Sequence, residues 1–248
     1  MNLISVVIPT LQKNKELLLN LIKMLEKDSN VSEIIVIDNS LKGLDYPSDK
    51  IKLITPPANL FVNPSWNLGV KSAANDNVAI LNDDITVPEN FCSSIFEKIT
   101  DDMGIVGYNI DYVKETQEIL PSPQAGEINL VEIPNRCMGW GIALFFNKSN
   151  YIEIPDDLKI FYGDDWLIYQ NKKRKKKIYS VSGQEIYHYG SLSSASSSLN
   201  EIAKNDEKLY KKLTRNWKNR LFSFDLLYKG IVITILGIKF SFHYEKKH

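Results

Sequence analysis

Residues 77–85 read "NVAILNDDI", an apolar stretch that stops at two adjacent acids. Residues 77–81 favour β structure, which predicts a buried strand. This strand ends at Asn82, Asp83 and Asp84. Carboxylates in that place fit a solvated turn, a helix cap or the ligands of a hard cation such as Mg²⁺ or Mn²⁺. The stretch alone leaves these alternatives open.

The first hundred or so residues alternate between strand and helix patterns, which predicts an α/β fold with a mostly parallel sheet flanked by helices. Ligands of such sheets bind beyond the carboxyl ends of the strands. Thr10, Asp38 and the acids at 83 and 84 are therefore expected at one edge of the sheet. The predicted strands are 3–10, 32–40, 51–55, 77–84 and 104–110, and the predicted helices are 15–27, 63–76 and 87–100, the last with Pro88 in its first turn.

The pattern weakens from 111 to 136, where an irregular or antiparallel insertion is expected. A Gly-Trp-Gly turn at 139–141 then precedes another predicted strand. Asp164 and Asp165 precede a predicted helix, where they fit an N-cap worth about 1 kcal/mol or a general base. His188 fits either a packed side chain or a metal ligand.

Several function classes are disfavoured by what the chain lacks. The segment 9–16, "PTLQKNKE", contains no glycine, which argues against dinucleotide-binding, P-loop and nucleotidyltransferase readings. Cys92 and Cys137 show neither metal-ligand spacing nor a disulfide framework, which favours a reducing cytosol. No signal peptide is expected, and no apolar run reaches the roughly 18–20 residues of a membrane span.

The charge is unevenly distributed although the formal net charge is zero. Residues 1–170 carry 13 Lys or Arg against 24 Asp or Glu, while residues 171–248 carry 17 against 6. A basic amphipathic helix over 207–222 and an apolar stretch at 230–240 suit an anionic membrane surface, reached through 205–240. The alternative is packing on the domain or at a homodimer interface. The basic run 172–177 lacks a recognition module, so no nucleic-acid partner is expected.

Short motifs occur in a fixed order along the chain: "VVIPT" at 6–10, "EIIVIDNS" at 33–40, "NLGVKSA" at 67–73, "LNDDI" at 81–85, "GWG" at 139–141, "GDDW" at 163–166 and the histidine at 188. Together they resemble the family 2 glycosyltransferases, which have the GT-A fold. The resemblance covers about 1–195 and implies a cytoplasmic enzyme, peripheral at the inner membrane face. Such an enzyme would move a sugar, with inversion and with metal assistance, from a nucleotide diphosphate sugar to a glycan or lipid-linked acceptor in surface polysaccharide or lipopolysaccharide synthesis. A non-catalytic nucleotide- or glycan-binding module of the same fold is the alternative.

The resemblance assigns donor-side and metal-side roles. Asp38 would face the base, and Asn67 would border the donor site from its helix. Asn82 replaces the first acid of the family's Asp-X-Asp motif, which leaves Asp84 as the implied direct ligand of Mn²⁺ or Mg²⁺. His188 matches a histidine that completes the metal site in several members of the family. The remaining implied donor contacts are Pro9, Thr10, Asn82 and Asp83.

The resemblance also assigns the acceptor side. Asp165 is favoured over Asp164 as the base, and Trp140 and Trp166 would line the acceptor side. The implied domain covers 1–200, with a nucleotide-sugar part over 1–110 and an acceptor part with antiparallel strands over 111–200. A basic helical extension would follow over 201–248.

Overall fold

The structure is a computed structural model, and it describes residues 3–135, 139–190, 197–214, 222–227, 230–236 and 238–243. The helices within these residues are α1 Lys15–Lys27, α2 Val62–Ser72, α3 Phe91–Phe96, α4 Gly163–Lys173 and α5 Ser197–Thr214. The strands are β1 Ile4–Thr10, β2 Val31–Asp38, β3 Ile51–Ile54, β4 Asn77–Leu81, β5 Ile85–Thr86, β6 Met103–Tyr108, β7 Val113–Glu115, β8 Asn129–Glu132, β9 Ala143–Asn147, β10 Lys177–Ser182, β11 Ile186–His188, β12 Phe222–Leu227, β13 Gly230–Ile235 and β14 Ile238–His243.

The central sheet of the described residues has the strand order β3-β2-β1-β4-β9-β6-β10-β8. Six strands run in one direction, and β9 and β8 run antiparallel to their neighbours. The predicted mostly parallel sheet is therefore confirmed. Its central strands are buried on both faces, which explains why they read as continuous apolar runs rather than alternating ones.

Helices α1 and α2 cover the sheet for reasons visible in their sequences. The Asn14 side chain accepts a hydrogen bond from the Leu17 N–H at 3.2 Å and so caps the start of α1, whose apolar face is buried. In α2, a Cβ on Gly69 would lie 2.2 Å from a methyl of Val7. Only glycine permits this close approach, which brings α2 against the middle of β1.

Helix α3 is shorter than the predicted helix 87–100. It begins at Phe91, and Pro88 lies before it rather than in its first turn. The reason is that β5 pairs with β11, which keeps the chain extended through Thr86. A second small sheet, β5-β11-β7, forms in this way. The 111–136 insertion contributes β7 to this sheet and β8 to the central sheet, where β8 pairs antiparallel with β10.

The chain divides into two compact units, residues 1–206 and 207–248. The predicted boundary at 200 stays a prediction. The expectation of a helical extension over 201–248 is wrong for its later part, because 222–227, 230–235 and 238–243 form the antiparallel sheet β12-β13-β14. The β-branched run "GIVITI" in β13 favours a strand. Cys137, residues 191–196 and residues 215–221 of the predicted basic helix lie outside the described residues. No helix within the described residues is long and apolar enough to cross a membrane.

Candidate active site

A cavity of about 380 Å³ lies at the carboxyl ends of β1, β2 and β4. It is the edge of the sheet where the sequence predicts ligand binding. Residues that line it include Pro9, Thr10, Asn82, Asp83, Asp84 and His188. The structure therefore brings together six of the side chains that were assigned to the donor or to a metal.

Asp83 links the ends of β4 and β1. The Thr10 hydroxyl donates to Asp83 Oδ2 at 2.5 Å. Burial and the charge of neighbouring Asp84 raise the pKa of Asp83 to about 6, although the Thr10 hydrogen bond opposes this shift. The Asp83 carboxyl can therefore change its protonation state near neutral pH when another charge arrives in the cavity.

His188 lies between two carboxylates. Its Nε2 is 3.3 Å from Asp84 Oδ1, and its Nδ1 is 2.6 Å from Glu115 Oε1. Burial alone lowers the pKa of His188, but the hydrogen bonds and charges of Asp84 and Glu115 raise it to about 9. The small sheet creates this arrangement, because β11 pairs His188 with Ile85 on β5 and with Glu115 on β7. Glu115 was missed by sequence reasoning, because only this pairing brings it to His188.

The Asp84–His188 pair fits two ligands of a divalent cation. Glu115 binds Nδ1, so the Nε2 side of the ring faces Asp84, as in histidines that ligate metals. Two adjacent ligands about 2.1 Å from an octahedral cation lie about 3.0 Å apart, close to the observed 3.3 Å. No group of three acidic, histidine or cysteine side chains within the described residues is arranged to hold a metal. Further ligands would therefore come from a substrate phosphate or from water.

The second acidic pair, Asp164 and Asp165, lies in the first turn of α4. The 3₁₀ turn at 140–142 contacts both acidic regions. Its Ile142 carbonyl accepts from the Asn82 N–H at 3.0 Å, and a Cβ on Gly141 would lie 3.2 Å from Asp164 Oδ2. Asp164 and the residue before the first two acids, Asn82, therefore both lie against one short turn, although neither Asp164 nor Asp165 lines the cavity.

The sequence model of glycosyl transferase family 2 matches residues 5–175. The chain belongs to glycosyl transferase family 2. Its α/β architecture is the GT-A fold that the motifs predicted, and the family takes a nucleotide-sugar donor and an acceptor. No curated protein sequence matches the chain.

Asp38 in this glycosyltransferase is fully buried. Its carboxylate accepts from the Ser40 N–H, the Ser40 hydroxyl and the Gly43 N–H at 2.5 to 3.0 Å. Burial raises its pKa, but these hydrogen bonds and one with Gln12 outweigh burial and lower it. The following residue, Asn39, lines the cavity instead. The contact between Asp38 and the base stays a prediction, while the visible role of Asp38 is to shape the turn after β2.

Asn67 fastens α2 of the glycosyltransferase to the loop at 151–154. Its amide donates to the Ile154 carbonyl at 2.7 Å and accepts from the Tyr151 hydroxyl at 2.8 Å and the Ile154 N–H at 2.9 Å. These contacts are structural, and a donor contact of Asn67 stays a prediction.

The structure corrects the acceptor assignment of Trp140. Its indole is fully buried, donates to the Tyr179 carbonyl at 3.0 Å and packs where a Cβ on Gly107 would lie. Trp140 is therefore a core residue, and the Gly-Trp-Gly turn matters through its backbone. Trp166 is partly exposed and donates to the Glu153 carbonyl at 3.0 Å, and its acceptor role stays a prediction.

Asp206 on α5 is a second acid that the sequence did not single out. Its buried carboxylate accepts three backbone hydrogen bonds at 2.9 to 3.1 Å, from the N–H groups of 159–161. These residues lead directly into α4, so Asp206 fixes the loop that carries the second acidic pair. The only signal of this role is that Asp206 is buried although the helix around it is at least partly exposed, and burial cannot be predicted from the sequence of the helix.

Proposed function

We propose that this glycosyltransferase moves a sugar from a nucleoside diphosphate donor to an acceptor hydroxyl with inversion, assisted by Mn²⁺ or Mg²⁺. The observation that carries the proposal is the cavity in which Thr10, the first acidic pair (Asp83 and Asp84) and His188 meet beside the turn at 140–142. Asp164 of the second acidic pair also lies against this turn, next to Gly141. Donor activation and acceptor activation would then be divided between the two pairs.

The first acidic pair suits the leaving group. Asp84 and His188 would hold the cation, and Glu115 would keep the imidazole in place. A bound divalent cation offsets the negative charge that accumulates on a leaving nucleoside diphosphate. Asp83, held by Thr10, would contact the ribose or the sugar of the donor.

The second acidic pair suits the acceptor. Inversion requires a base that takes the proton of the acceptor hydroxyl on the face opposite the leaving group. Asp164 is buried and its carboxylate accepts the Asp165 N–H at 3.0 Å, whereas Asp165 is partly exposed. Asp165 is therefore the better candidate for the base, and Asp164 for a residue that supports the start of α4.

A donor screen tests the reaction. The protein is incubated with Mn²⁺ or Mg²⁺, a panel of nucleotide sugars and candidate acceptors, and release of the nucleoside diphosphate is measured. Release with one donor, and its loss on removal of the cation, are expected. Binding of a nucleotide sugar without release of the nucleoside diphosphate would favour a non-catalytic module. In a parallel incubation with nucleoside triphosphates and sugar phosphates, release of pyrophosphate would favour a nucleotidyltransferase.

The C-terminal unit suits a membrane surface, which would place a lipid-linked acceptor of surface-glycan synthesis near the enzyme at the inner membrane face. The β13–β14 hairpin exposes four large apolar side chains, with exposed fractions of 45 to 68%. The chain around it is basic, and basic segments with apolar tips bind anionic bilayers. The four residues are Ile235, Leu236, Ile238 and Phe240.

Liposome flotation tests this docking. Wild-type protein is expected to float with phosphatidylserine vesicles and not with phosphatidylcholine vesicles, and Leu236→Glu is expected to abolish flotation. Val131→Glu is a matched control, because Val131 is also a large exposed apolar residue, with 51% exposed against 68% for Leu236, but belongs to the other unit. Equal flotation of both variants would contradict membrane docking, and a concentration-dependent dimer lost in Leu236→Glu would favour a homodimer interface. A truncation that removes the C-terminal unit should end after α5, because Asp206 on this helix binds the backbone of 159–161.

A further inference from the structure

Phe61 lines the cavity in a backbone conformation that is essentially reserved for glycine. Its φ is 67° and its ψ is −171°, a region where a Cβ clashes with the backbone. A residue persists there only when its surroundings hold it in place, and such residues are concentrated at ligand sites. Phe61 is therefore an outlier that requires an explanation in terms of what the cavity binds.

Side chains hold both peptide groups of Phe61. Its N–H donates to Asn59 Oδ1 at 2.8 Å, and its carbonyl accepts from the Ser65 hydroxyl at 2.5 Å. Asn39 reinforces this clamp, because its Nδ2 donates to the Ser65 hydroxyl at 2.9 Å and its Oδ1 accepts from the Leu60 N–H at 2.9 Å. The clamp fixes Phe61 to the end of β2, on the wall of the cavity that Asn39 also lines.

The cavity has two chemically different parts. The carboxylates of the first acidic pair and His188 form its charged part. Phe61 lies beside Asn39, and the other apolar side chains of the wall include Pro9, Leu11 and Ile160. A nucleoside diphosphate has the same division, since it joins a charged diphosphate to a planar base.

We infer that Phe61 is held in its strained conformation so that its ring provides the stacking surface for the base of the nucleotide donor. The inference rests on the proposed function, and it assigns the base end of the donor to the wall formed by Asn39 and Phe61. Stacking on an aromatic ring tolerates any base, because every base has a π-face. Phe61 therefore supplies affinity for the nucleotide, and base selectivity comes from polar groups such as the Asn39 amide.

The test compares Phe61→Gly with wild type in two measurements that a purely structural role would move together. Glycine relieves the backbone strain, so the melting temperature is expected to stay equal or to rise. Loss of the ring is expected to weaken binding of UDP or GDP, measured by calorimetry with Mn²⁺, about tenfold. Binding of inorganic pyrophosphate, which has no base, is expected to remain unchanged, and Phe61→Trp is expected to retain nucleotide affinity.

Three outcomes decide the matter. Equal nucleotide affinity in wild type and Phe61→Gly overturns the inference and leaves the proposed function intact. A lower melting temperature together with weaker binding of both nucleotide and pyrophosphate shows a structural role and also overturns the inference. Failure of the wild-type protein to bind any nucleoside diphosphate overturns the proposed function together with the inference.

Discussion

The two acidic pairs have the same side chains but different surroundings. The first pair follows strand β4. Asp83 accepts a hydrogen bond from the Thr10 hydroxyl, and Asp84 Oδ1 lies 3.3 Å from His188 Nε2. The second pair opens helix α4, where the N-terminal N–H groups favour negative charge. Surroundings rather than residue type therefore divide the proposed roles: Asp84 of the first pair can bind a cation together with His188, and Asp165 of the second pair can accept a proton.

Each pair also has a supporting acid that fixes a neighbouring part of the structure. Glu115 binds the far side of His188 next to the first pair, and Asp206 binds the backbone of 159–161 before the second pair. Both supporting acids come from distant parts of the chain. The separate roles of the two pairs can therefore be tested by substituting the paired acids themselves or the acids that support them.

The largest effect is expected at the second pair. Asp165→Asn removes the proposed base, so kcat should fall by about 10²- to 10⁴-fold, while the affinity for donor and Mn²⁺ should persist. Steady-state kinetics and calorimetry on the same preparation measure both. Asp157→Asn, an exposed acid in the preceding loop, is the matched control. Near-normal turnover of Asp165→Asn would remove this residue from the reaction.

The next effect concerns the metal-free protein and the proton on His188. The pKa of His188 is raised from an ordinary value of 6.5 to about 9, so its stabilisation is complete below pH 6.5 and is lost as the pH rises through 9. The free energy of unfolding should fall by up to about 3 kcal/mol over this interval. Urea unfolding in EDTA measures it. His188→Gln should remove most of this slope, and parallel slopes for both proteins would contradict the assigned ion pair.

A smaller effect is expected when the first pair loses its support. Glu115→Gln keeps the size of the side chain but removes the charge that orients the imidazole, so Mn²⁺ affinity should fall about 10- to 100-fold. Titration with Mn²⁺ followed by electron paramagnetic resonance measures this. Glu118→Gln, an exposed acid in the same insertion, should bind as wild type does. Equal loss in both variants would point to general electrostatics instead.

The smallest effect is expected when the second pair loses its support. Asp206→Asn retains an oxygen acceptor but removes the negative charge that three backbone N–H groups face, so the free energy of unfolding should fall by about 1 kcal/mol. The kcat should also fall while Mn²⁺ affinity stays unchanged, because the loop 159–161 precedes α4 and contains neither of the proposed cation ligands, Asp84 and His188. A loss of Mn²⁺ affinity would contradict the separation of the two supports.

The elements and the site edge could be predicted wherever the information is local. The helical spacing of 15–27 predicted α1 to the residue, and the apolar run at 77–81 predicted β4, although the predicted strand 77–84 extended three residues into the following turn. Asn39, Glu115 and Asp206 could not be predicted, because their partners lie 21 to 73 residues away in sequence. The predicted start of α3 at residue 87 was wrong, because the pairing of β5 with β11 outweighed the local helix signal of Pro88.

Trp140 shows the opposite error. The resemblance assigned Trp140 to the acceptor side, but the missing Cβ of Gly107 leaves room for the indole against the sheet, and the ring is buried. Phe61 shows a further limit of local patterns, because nothing in its neighbours announces a left-handed backbone. Both cases depend on packing that only the fold reveals.

Mn²⁺ binding to the two acidic pairs tests the central division most directly. Asp84→Asn and Asp165→Asn are titrated with Mn²⁺ in the presence of UDP and GDP in turn, and free Mn²⁺ is followed by electron paramagnetic resonance. We expect Asp84→Asn to weaken Mn²⁺ binding at least about tenfold and Asp165→Asn to bind as wild type does. Unchanged binding in Asp84→Asn, or equal weakening in both variants, would contradict the assignment of cation and base to separate pairs.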